Sequence, residues 1–548
     1  MSHRPLSKED LYTLLHNRTK QWDFPTLSTL PHPYQLKSCE QACKFLAQKM
    51  RENPECKILV VGDYDVDGVI ASVVMMKFFA LLGYQHISYV IPSRFSDGYG
   101  VSKAIIEANP SDVVITVDNG ITAYEAAEYC KQQGIALIIT DHHIPKDTLP
   151  NADFIINPQQ KDCTFAQKEI CGALVAWYFC AGLKIALGAS VAITPLLELV
   201  MLATIADMMP LTQINKCVVL YGLKQLPSSQ IPALQKLQSR LKTRYITATD
   251  ISFSLTPLLN AAGRMEEGRI ASEFLLLDSS SLEANMHASQ ESNAPISTQL
   301  ARALDSGLES LLRLNQKRKD TAKSVLESAI ATAIVYDNAV IAKGEDWHEG
   351  VLGIVAAQMA NHYKKPAIVL ARTKELGLES MLKGSARSYG EADLMSVLLG
   401  AREILGEFGG HSKAAGLSVE CERFDRLCAY LEGLCELPQC QSTQEGLEIL
   451  PIDVKDIDTE LFALLQRFEP YGQGNPKPIL QARLQIRQIS PIKQHKKLRF
   501  FGTDLWGICF FCEQELRVKE WILASFSMQM DAYRGVPMMV LQEVEKLG

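Results

Sequence analysis

Lys57-Ile58-Leu59-Val60-Val61-Gly62-Asp63-Tyr64-Asp65-Val66-Asp67-Gly68 decides how this chain folds. A short β-branched, apolar run stops at three carboxylates set within five residues. Such a run with turn residues behind it reads as a strand buried in a parallel sheet. The pattern recurs twice. Val113-Val114-Ile115-Thr116-Val117 ends at Asp118-Asn119-Gly120, and Leu137-Ile138-Ile139-Thr140 ends at Asp141-His142-His143. Helical patterns lie between the strands, from Val69 to Gly83 and from Tyr124 to Gln133 before Gly134. This βαβ rhythm predicts an α/β fold around a parallel, doubly wound sheet. In such a sheet ligands bind in the crevice at the carboxyl ends of the strands. The acids and histidines sit at those ends.

Carboxylates and imidazoles brought together in one crevice repel or desolvate one another unless a cation neutralises them. A divalent metal site, with two ions, is the expected outcome. Asp63, Asp65 and Asp67 form its nucleus, because capping a helix needs only one carboxylate. Gly68 lets the backbone bend close to what binds. Oxygen donors favour Mg²⁺ or Mn²⁺, and His142 tilts the choice toward Mn²⁺. Asp118 ends a strand expected to neighbour the first one. Asp207 follows the apolar stretch Val200 to Ala206, where a carboxylate is costly to bury unless paired or coordinated.

The chain has 548 residues, too many for one core, so about two to four domains are expected. Its hydrophobic content of 47% and charged content of 21% are those of an ordinary globular protein. The net charge of −7 excludes a global attraction to nucleic acid, so a polyanion must be held by a local basic surface or by metal. The polar start from Met1 to Asp10 does not resemble a signal peptide, and the apolar stretches are too short or too amphipathic to span a membrane. Fourteen cysteines without framework spacing suggest the reducing cytoplasm. Cys509-Phe510-Phe511-Cys512 reads as two thiols in or on a sheet, or as a redox or zinc pair; Cys428 and Cys435 read as core filler in a helix.

Residues 1–50 form an N-terminal extension and 51–235 the first α/β lobe. Residues 236–330 are a helical connector, with a long polar-faced stretch from Ser281 to Ala329 that a proline interrupts between Asn285 and Ile296. A second α/β lobe covers 331–440, with strands near Ala333–Tyr336 and Pro366–Leu370. From 445 to 548 five alternating runs predict a small β-barrel of the OB type: Ala482–Ile489, Leu498–Gly502, Trp506–Phe511, Trp521–Phe526 and Pro537–Glu543.

In order, Asp63-Tyr64-Asp65-Val66-Asp67-Gly68, Val117-Asp118-Asn119-Gly120, Asp141-His142-His143 and Ala206-Asp207 resemble the four motifs of the DHH phosphoesterases. Gly409-Gly410-His411-Ser412-Lys413-Ala414-Ala415-Gly416 resembles the signature of the DHH-associated domain, which makes 51–235 the DHH domain and 331–440 its associate. Four further segments narrow the likeness to the single-strand-specific 5′→3′ exonucleases of that family. They are Pro92–Gly100, Leu259–Arg264, Trp347–Val355 and Glu469–Pro476.

The resemblance implies roles. Asp118 would bridge two Mn²⁺ ions; Asp65, with Asp63 nearby, would hold one, and Asp67, His142 and Asp207 the other. His143 would touch the scissile phosphate and Asp141 would orient the site. Arg94 and Arg264, and Ser385 and Arg387 in the loop Lys383–Ser388, would grip phosphate and read a 5′ end. His411 and Lys413 would contact DNA, or His411 would cap a helix. On the barrel, Lys493, His495, Lys496, Lys497 and Arg499 would meet phosphates, while Phe500, Phe501 and Trp506 would either stack bases or fill the core. The implied activity is a metal-dependent exonuclease in DNA repair and recombination that releases nucleoside 5′-monophosphates. The alternatives are a phosphoesterase for short oligoribonucleotides or cyclic dinucleotides, and a non-catalytic DNA-binding scaffold. A monomer is expected, with a single-stranded-DNA-binding protein as a partner implied by resemblance only.

Overall fold

The computed structural model describes every residue except 1–3, 21–25, 242, 244, 280–294, 374–379, 435, 439–448, 513, 532–533 and 548. The proline-interrupted run from Asn285 to Ala294, and Cys435, lie outside the described residues.

The first lobe is built on β1 (Ile58–Val61), β2 (Ile87–Val90), β3 (Val113–Val117), β4 (Ala136–Thr140) and β5 (Phe154–Ile156), in the order β2-β1-β3-β4-β5. Every pairing is parallel. β1, β3 and β4 are buried along their whole length. Apolar side chains leave both faces of the sheet. Ile58, Val60, Ile115 and Ile138 pack under the helices Val66–Leu81 and Gly172–Leu187. Leu59, Val61, Val114 and Leu137 pack under Lys103–Ala108 and Tyr124–Gln133. With this order the strands are added outward in opposite senses from β1 and from β3, and the crevice opens between those two. Both acidic motifs flank that point.

The long helix Ile296–Ala331 has 36 residues, about 54 Å at the usual rise. Its buried stripe of Leu304, Leu308, Leu311, Leu314, Ala322, Val325 and Ala329 belongs to one core shared by the first lobe and by the inner face of the second. The second lobe carries β6 (Ile334–Val335), β7 (Val340–Gly344), β8 (Ala367–Arg372), β9 (Met381–Arg387), β10 (Leu405–His411) and β11 (Ala414–Glu420), ordered β10-β11-β9-β8-β7-β6. Only β7 and β8 pair in parallel. Two expectations change here. Lys383 to Arg387 is no loop but most of a central strand, because β11 and β8 pair with it on both sides. His411 ends a strand rather than a helix, at a two-residue hairpin turn to Ala414.

The C-terminal unit has β12 (Ile449–Pro451), β13 (Ile479–Ile492), β14 (His495–Phe500), β15 (Trp506–Cys509), β16 (Trp521–Met530) and β17 (Pro537–Leu547). β13 pairs with both β14 and β16, which closes five strands into the expected barrel, and β12 adds to its edge. The first helix, Lys8–Thr19, sends Leu11 and Leu15 into the barrel core. Barrel and first lobe also meet at Gln473, whose carbonyl accepts a 2.6 Å hydrogen bond from the Leu211 amide, four residues beyond Asp207. Among the described residues no helix is long and apolar enough to cross a membrane.

Candidate functional site

Local sequence shapes each arm of the site. After β1, the Asp65 side chain accepts from the amides of Asp67 at 2.9 Å and Gly68 at 3.1 Å, and so caps the helix Val66–Leu81. Asp67, one position into that helix, faces across to the helix Gly172–Leu187. Its carboxylate accepts from the Gly172 amide at 2.6 Å and the Ala173 amide at 2.8 Å, where the helix dipole favours negative charge. After β3, Asp118 takes φ +62 and Gly120 φ +109, a turn that swings the Asp118 carboxylate back over the strand ends. Asn119 pins this turn: its side-chain amide donates to Val61 O at 3.0 Å and Val117 O at 2.9 Å, and its oxygen accepts from the Val101 amide at 3.0 Å.

After β4, Asp141 is held rather than offered. Its carboxylate accepts from the amides of Ile121, His142 and His143 and from His143 Nδ1 at 2.8 Å. Burial pushes the Asp141 carboxyl up, but the His143 hydrogen bond and charge outweigh it and leave it below the ordinary range. Burial likewise pulls the His143 imidazole down, and the bond to Asp141 overcomes that and raises it to about 9. His143 is thus a cation with Nε2 left for a partner. His142 is the opposite case: burial lowers it, so a neutral imidazole faces the acids. Its Nε2 lies 3.1 Å from Asp118 Oδ1, 3.6 Å from Asp67 Oδ2 and 3.7 Å from Asp207 Oδ2.

Three groups of donor atoms gather closely enough for one ion: Asp63, Asp65 and Asp118; Asp67, His142 and Asp207; and Asp118, His142 and His143. Asp118 or His142 is common to each pair of overlapping sets. The residues fit divalent cations on an independent observation: Asp63 Oδ1, Asp118 Oδ1 and Asp207 Oδ2 are buried without a hydrogen bond. Burial, followed by the charges of neighbouring aspartates, pushes the carboxyls of Asp63, Asp118 and Asp207 well up; burial raises Asp67 too, though His142 opposes it. Uncompensated carboxylates in this number are stable only as acids or around cations.

A pH dependence follows. The raised carboxyls keep protons above the ordinary value of 3.8 that their unfolded forms would have. The folded apoprotein therefore binds more protons than the unfolded chain, and its stability falls as pH rises from there through the raised values. Metal must displace those protons, so apparent Mn²⁺ affinity should rise with pH over the same window. Calorimetric titration at several pH values in buffers of different ionisation enthalpy checks both the slope and the protons released. A flat affinity with no proton release would contradict the carboxyl assignment.

Beside this centre lies a cavity of about 290 Å³ between the lobes, lined by Tyr64, Arg94, Arg264, Lys383, Ser385 and Arg387, with Glu349 the one acid among the described residues that line it. The Arg94 guanidinium stacks on the Tyr64 ring at 4.2 Å. Arg387 Nη1 donates to Ser385 Oγ at 2.6 Å. Burial, then the neighbouring charges of Arg94, Arg318 and Arg387, brings Arg264 down to about 10. Arg318, outside the lining but close enough to act on Arg264, is a charge that sequence reasoning missed. It rides on the helix Ile296–Ala331, where its guanidinium donates to Asn315 Oδ1 at 3.2 and 3.0 Å. No local motif marks it; the packing of that helix against the helix bearing Arg264 brings it in. Partly buried arginines gathered with little acid form a site for an anion.

The remaining residues are more dispersed. His411 and Lys413 sit at the β10–β11 hairpin, next to the strand that bears Arg387, and Lys413 Nζ donates to Gly390 O at 2.6 Å. On the barrel, Lys493 lies in the β13–β14 turn, Lys496 bonds to Gln514 O, and Lys497 Nζ sits 4.0 Å over the Trp506 ring. Phe500, 1% exposed, points into the barrel core, whereas Trp506 lies on the outer face beside Arg499, 9% exposed because Lys497 and Arg534 cover its ring. Phe501 is exposed, as are Phe510 and Phe511, which flank His495 with ring centroids 5.0 and 4.8 Å away. The Cys509–Cys512 segment leaves β15 at Cys509, whose thiol burial and the Cys512 neighbour push up to about 12.

The chain resembles known proteins along nearly all its length. The DHH family N-terminal domain matches residues 57–204, the DHHA1 domain 333–437 and the RecJ OB domain 450–542. The single-stranded-DNA-specific exonuclease RecJ of Haemophilus influenzae is 32% identical, over 98% of this chain and 95% of that protein. The RecJ of Escherichia coli is 30% identical, over 91% and 89%. Among solved structures, RecJ of Thermus thermophilus in complex with Mn²⁺ shares the fold at a TM-score of 0.78 and 24% identity, covering 99% of this chain and 76% of that one. An exonuclease RecJ bound to manganese is 28% identical with a TM-score of 0.59, covering 72% and 94%.

Proposed function

This chain belongs to the RecJ family of DHH phosphoesterases, which are metal-dependent exonucleases, and from that premise we propose that it degrades single-stranded DNA from the 5′ end. The products are nucleoside 5′-monophosphates, formed by phosphodiester hydrolysis at two divalent cations, Mn²⁺ foremost, in DNA repair and recombination. The observation that carries this reading is the convergence of seven acids and imidazoles, with orphaned buried oxygens, beside a cavity lined by arginines.

Asp63, Asp65 and Asp118 would hold one ion, and Asp67, His142 and Asp207 the other, with Asp118 between them. Bound there, the cations would supply an activated water and neutralise charge growing on the phosphoryl oxygens. The protein does the rest. His143, charged and fixed by Asp141, points a donor at a phosphate oxygen. Arg94, Arg264, Ser385 and Arg387 hold a terminal phosphate, which sets the scissile bond one nucleotide away. Tyr64 connects the two regions, since it stands between Asp63 and Asp65 and also lines the cavity. His411 and Lys413 extend the cationic track along the second lobe. On the barrel, Lys493, Lys496 and Lys497 would meet the backbone farther along the strand; Phe501, Phe510, Phe511 and Trp521 are exposed rings able to stack bases.

The direct test is degradation of matched 5′-phosphorylated single- and double-stranded oligonucleotides with Mn²⁺, Mg²⁺ or chelator. Mononucleotide release from the single strand alone, lost in chelator, is expected. Equal turnover of the duplex, or release of nucleotides from the 3′ end, would refute the reading. Arg387→Ala should weaken use of 5′-phosphorylated strands by about 10- to 100-fold, the worth of a charge-assisted bond, while 5′-hydroxyl strands change little. Steady-state kinetics on the two substrates shows whether that discrimination collapses.

A further inference from the structure

Two contacts with the second lobe adjoin the anion cavity: an aromatic pair outside the phosphate site, and a backbone approach at Arg264, which itself lines the cavity. On one side Phe95 meets His348, with ring centroids 5.4 Å apart and planes at 84°. Their sequence neighbours, Arg94 and Glu349, both line the cavity. On the other side Arg264 Nη1 donates to Gly350 O at 3.4 Å, and the backbones are so close that a Cβ on Gly350 would fall 1.8 Å from Arg264 O.

Each ring is held by its own backbone. His348 caps the helix Glu349–Tyr363 by accepting from the Gly350 amide at 3.1 Å. Phe95 sits on a loop braced at Ser93, whose amide donates to Asp97 Oδ2 at 2.8 Å and whose carbonyl accepts from the Asp97 amide at 2.9 Å. Phe95 is 41% exposed, so little core packing depends on it. What the Phe95 ring contributes is thus its edge-on contact with a histidine of the other lobe rather than core packing.

Resting on the reading of the cavity as the 5′-phosphate site, we propose that Phe95 and His348 are a bar across its far side that makes cleavage exonucleolytic. A strand enters until its 5′ phosphate reaches the arginines. It cannot thread through, because backbone continuing past the phosphate would have to part Phe95 from His348 or prise Arg264 from Gly350. The first contact is the weaker, being two edge-packed rings rather than two abutting backbones. Phe95 and His348 thereby determine specificity for an end over an internal bond, while the hydrolytic centre stays the same.

The experiment compares covalently closed circular single-stranded DNA with its linear 5′-phosphorylated form, in Mn²⁺, for the parent enzyme, F95A, F95L, H348N and F95A/H348N. Asparagine retains a side-chain acceptor for the helix cap and loses the ring. The parent is expected to degrade the linear strand and spare the circle. The variants are expected to open the circle at least about tenfold faster than the parent's background, with the double variant fastest, an effect near the worth of one aromatic pair. Variants that degrade the linear strand yet leave the circle intact would overturn the proposal, as would a parent enzyme that cuts the circle. A parent that fails on the linear strand refutes the 5′-exonuclease reading instead, and this inference with it.

Discussion

Asp118→Asn is expected to cut hydrolysis of 5′-labelled single-stranded DNA by more than about a thousandfold, ~4 kcal/mol of transition-state stabilisation. The same change should raise the melting temperature of the metal-free protein. Asp118 is buried, and burial together with Asp67, Asp65 and Asp63 pushes its carboxyl far up. The free oxygen Oδ1 has no hydrogen bond. Replacing the acid by its amide keeps the shape and the tolerance for positive φ, and removes a group that the metal-free fold must either protonate or bury as a charge. The apoprotein gains what the loaded protein loses. Melting curves in chelator and in Mn²⁺, set beside calorimetric stoichiometry, should show the apo curve moving up and the metal-induced shift shrinking toward zero. Unchanged turnover and stoichiometry in this variant would remove Asp118 from the metal site.

The second large effect concerns a residue that touches no substrate. Gly172→Ala would place a Cβ 2.5 Å from Asp118 Oδ1 and 2.8 Å from Asp118 Cα. Something must shift. Either the helix Gly172–Leu187 retreats and loses its bonds to Asp67, or the Asp118 turn is displaced. Both outcomes spoil the geometry between the two proposed ion sites. Activity should fall by about a hundredfold or more, as for other displacements of about 1 Å at a reacting centre. The added methyl should also cost about 1–3 kcal/mol of stability. Mn²⁺ titration separates this from simple unfolding: a folded variant with weakened metal binding is expected. Full activity would mean that the contact between Gly172 and Asp118 relaxes without consequence.

The two variants differ in how visible their residues were beforehand. Asp118 stands at the end of a β-branched run, in a turn made of Asn and Gly. Gly172 lies in Cys171-Gly172-Ala173, with nothing nearby to mark it, and its role comes from a strand more than fifty residues earlier in the chain. Arg318 is a similar case, since its helix reads as a polar connector until it is seen packed against the helix that bears Arg264. The barrel shows the reverse error. Basic and aromatic residues lie close together along β14 and β15, but proximity in sequence does not say which face is inside, so Phe500 could not be told from a stacking ring until the barrel closed, nor Trp506 from a free ring until Lys497 and Arg534 were seen to cover it. Lys383 to Arg387 looked like a loop because glycine and serine interrupt it; pairing on both edges makes it a strand.

What the sequence determined by itself was the set of strands, the sheet type and the acidic ends. Those follow from burial and from the two-residue and 3.6-residue periods, which act over a few neighbours and need no knowledge of the rest of the chain. What only the tertiary structure decided was which ends meet. Strand order puts β1 beside β3 and opens the crevice there, the Gly172 helix closes down on Asp67 and Asp118, and the barrel's Gln473 anchors the turn that follows Asp207. These are long-range contacts between segments whose local patterns are indifferent to one another, fixed by packing and by the cost of leaving buried polar groups unpaired.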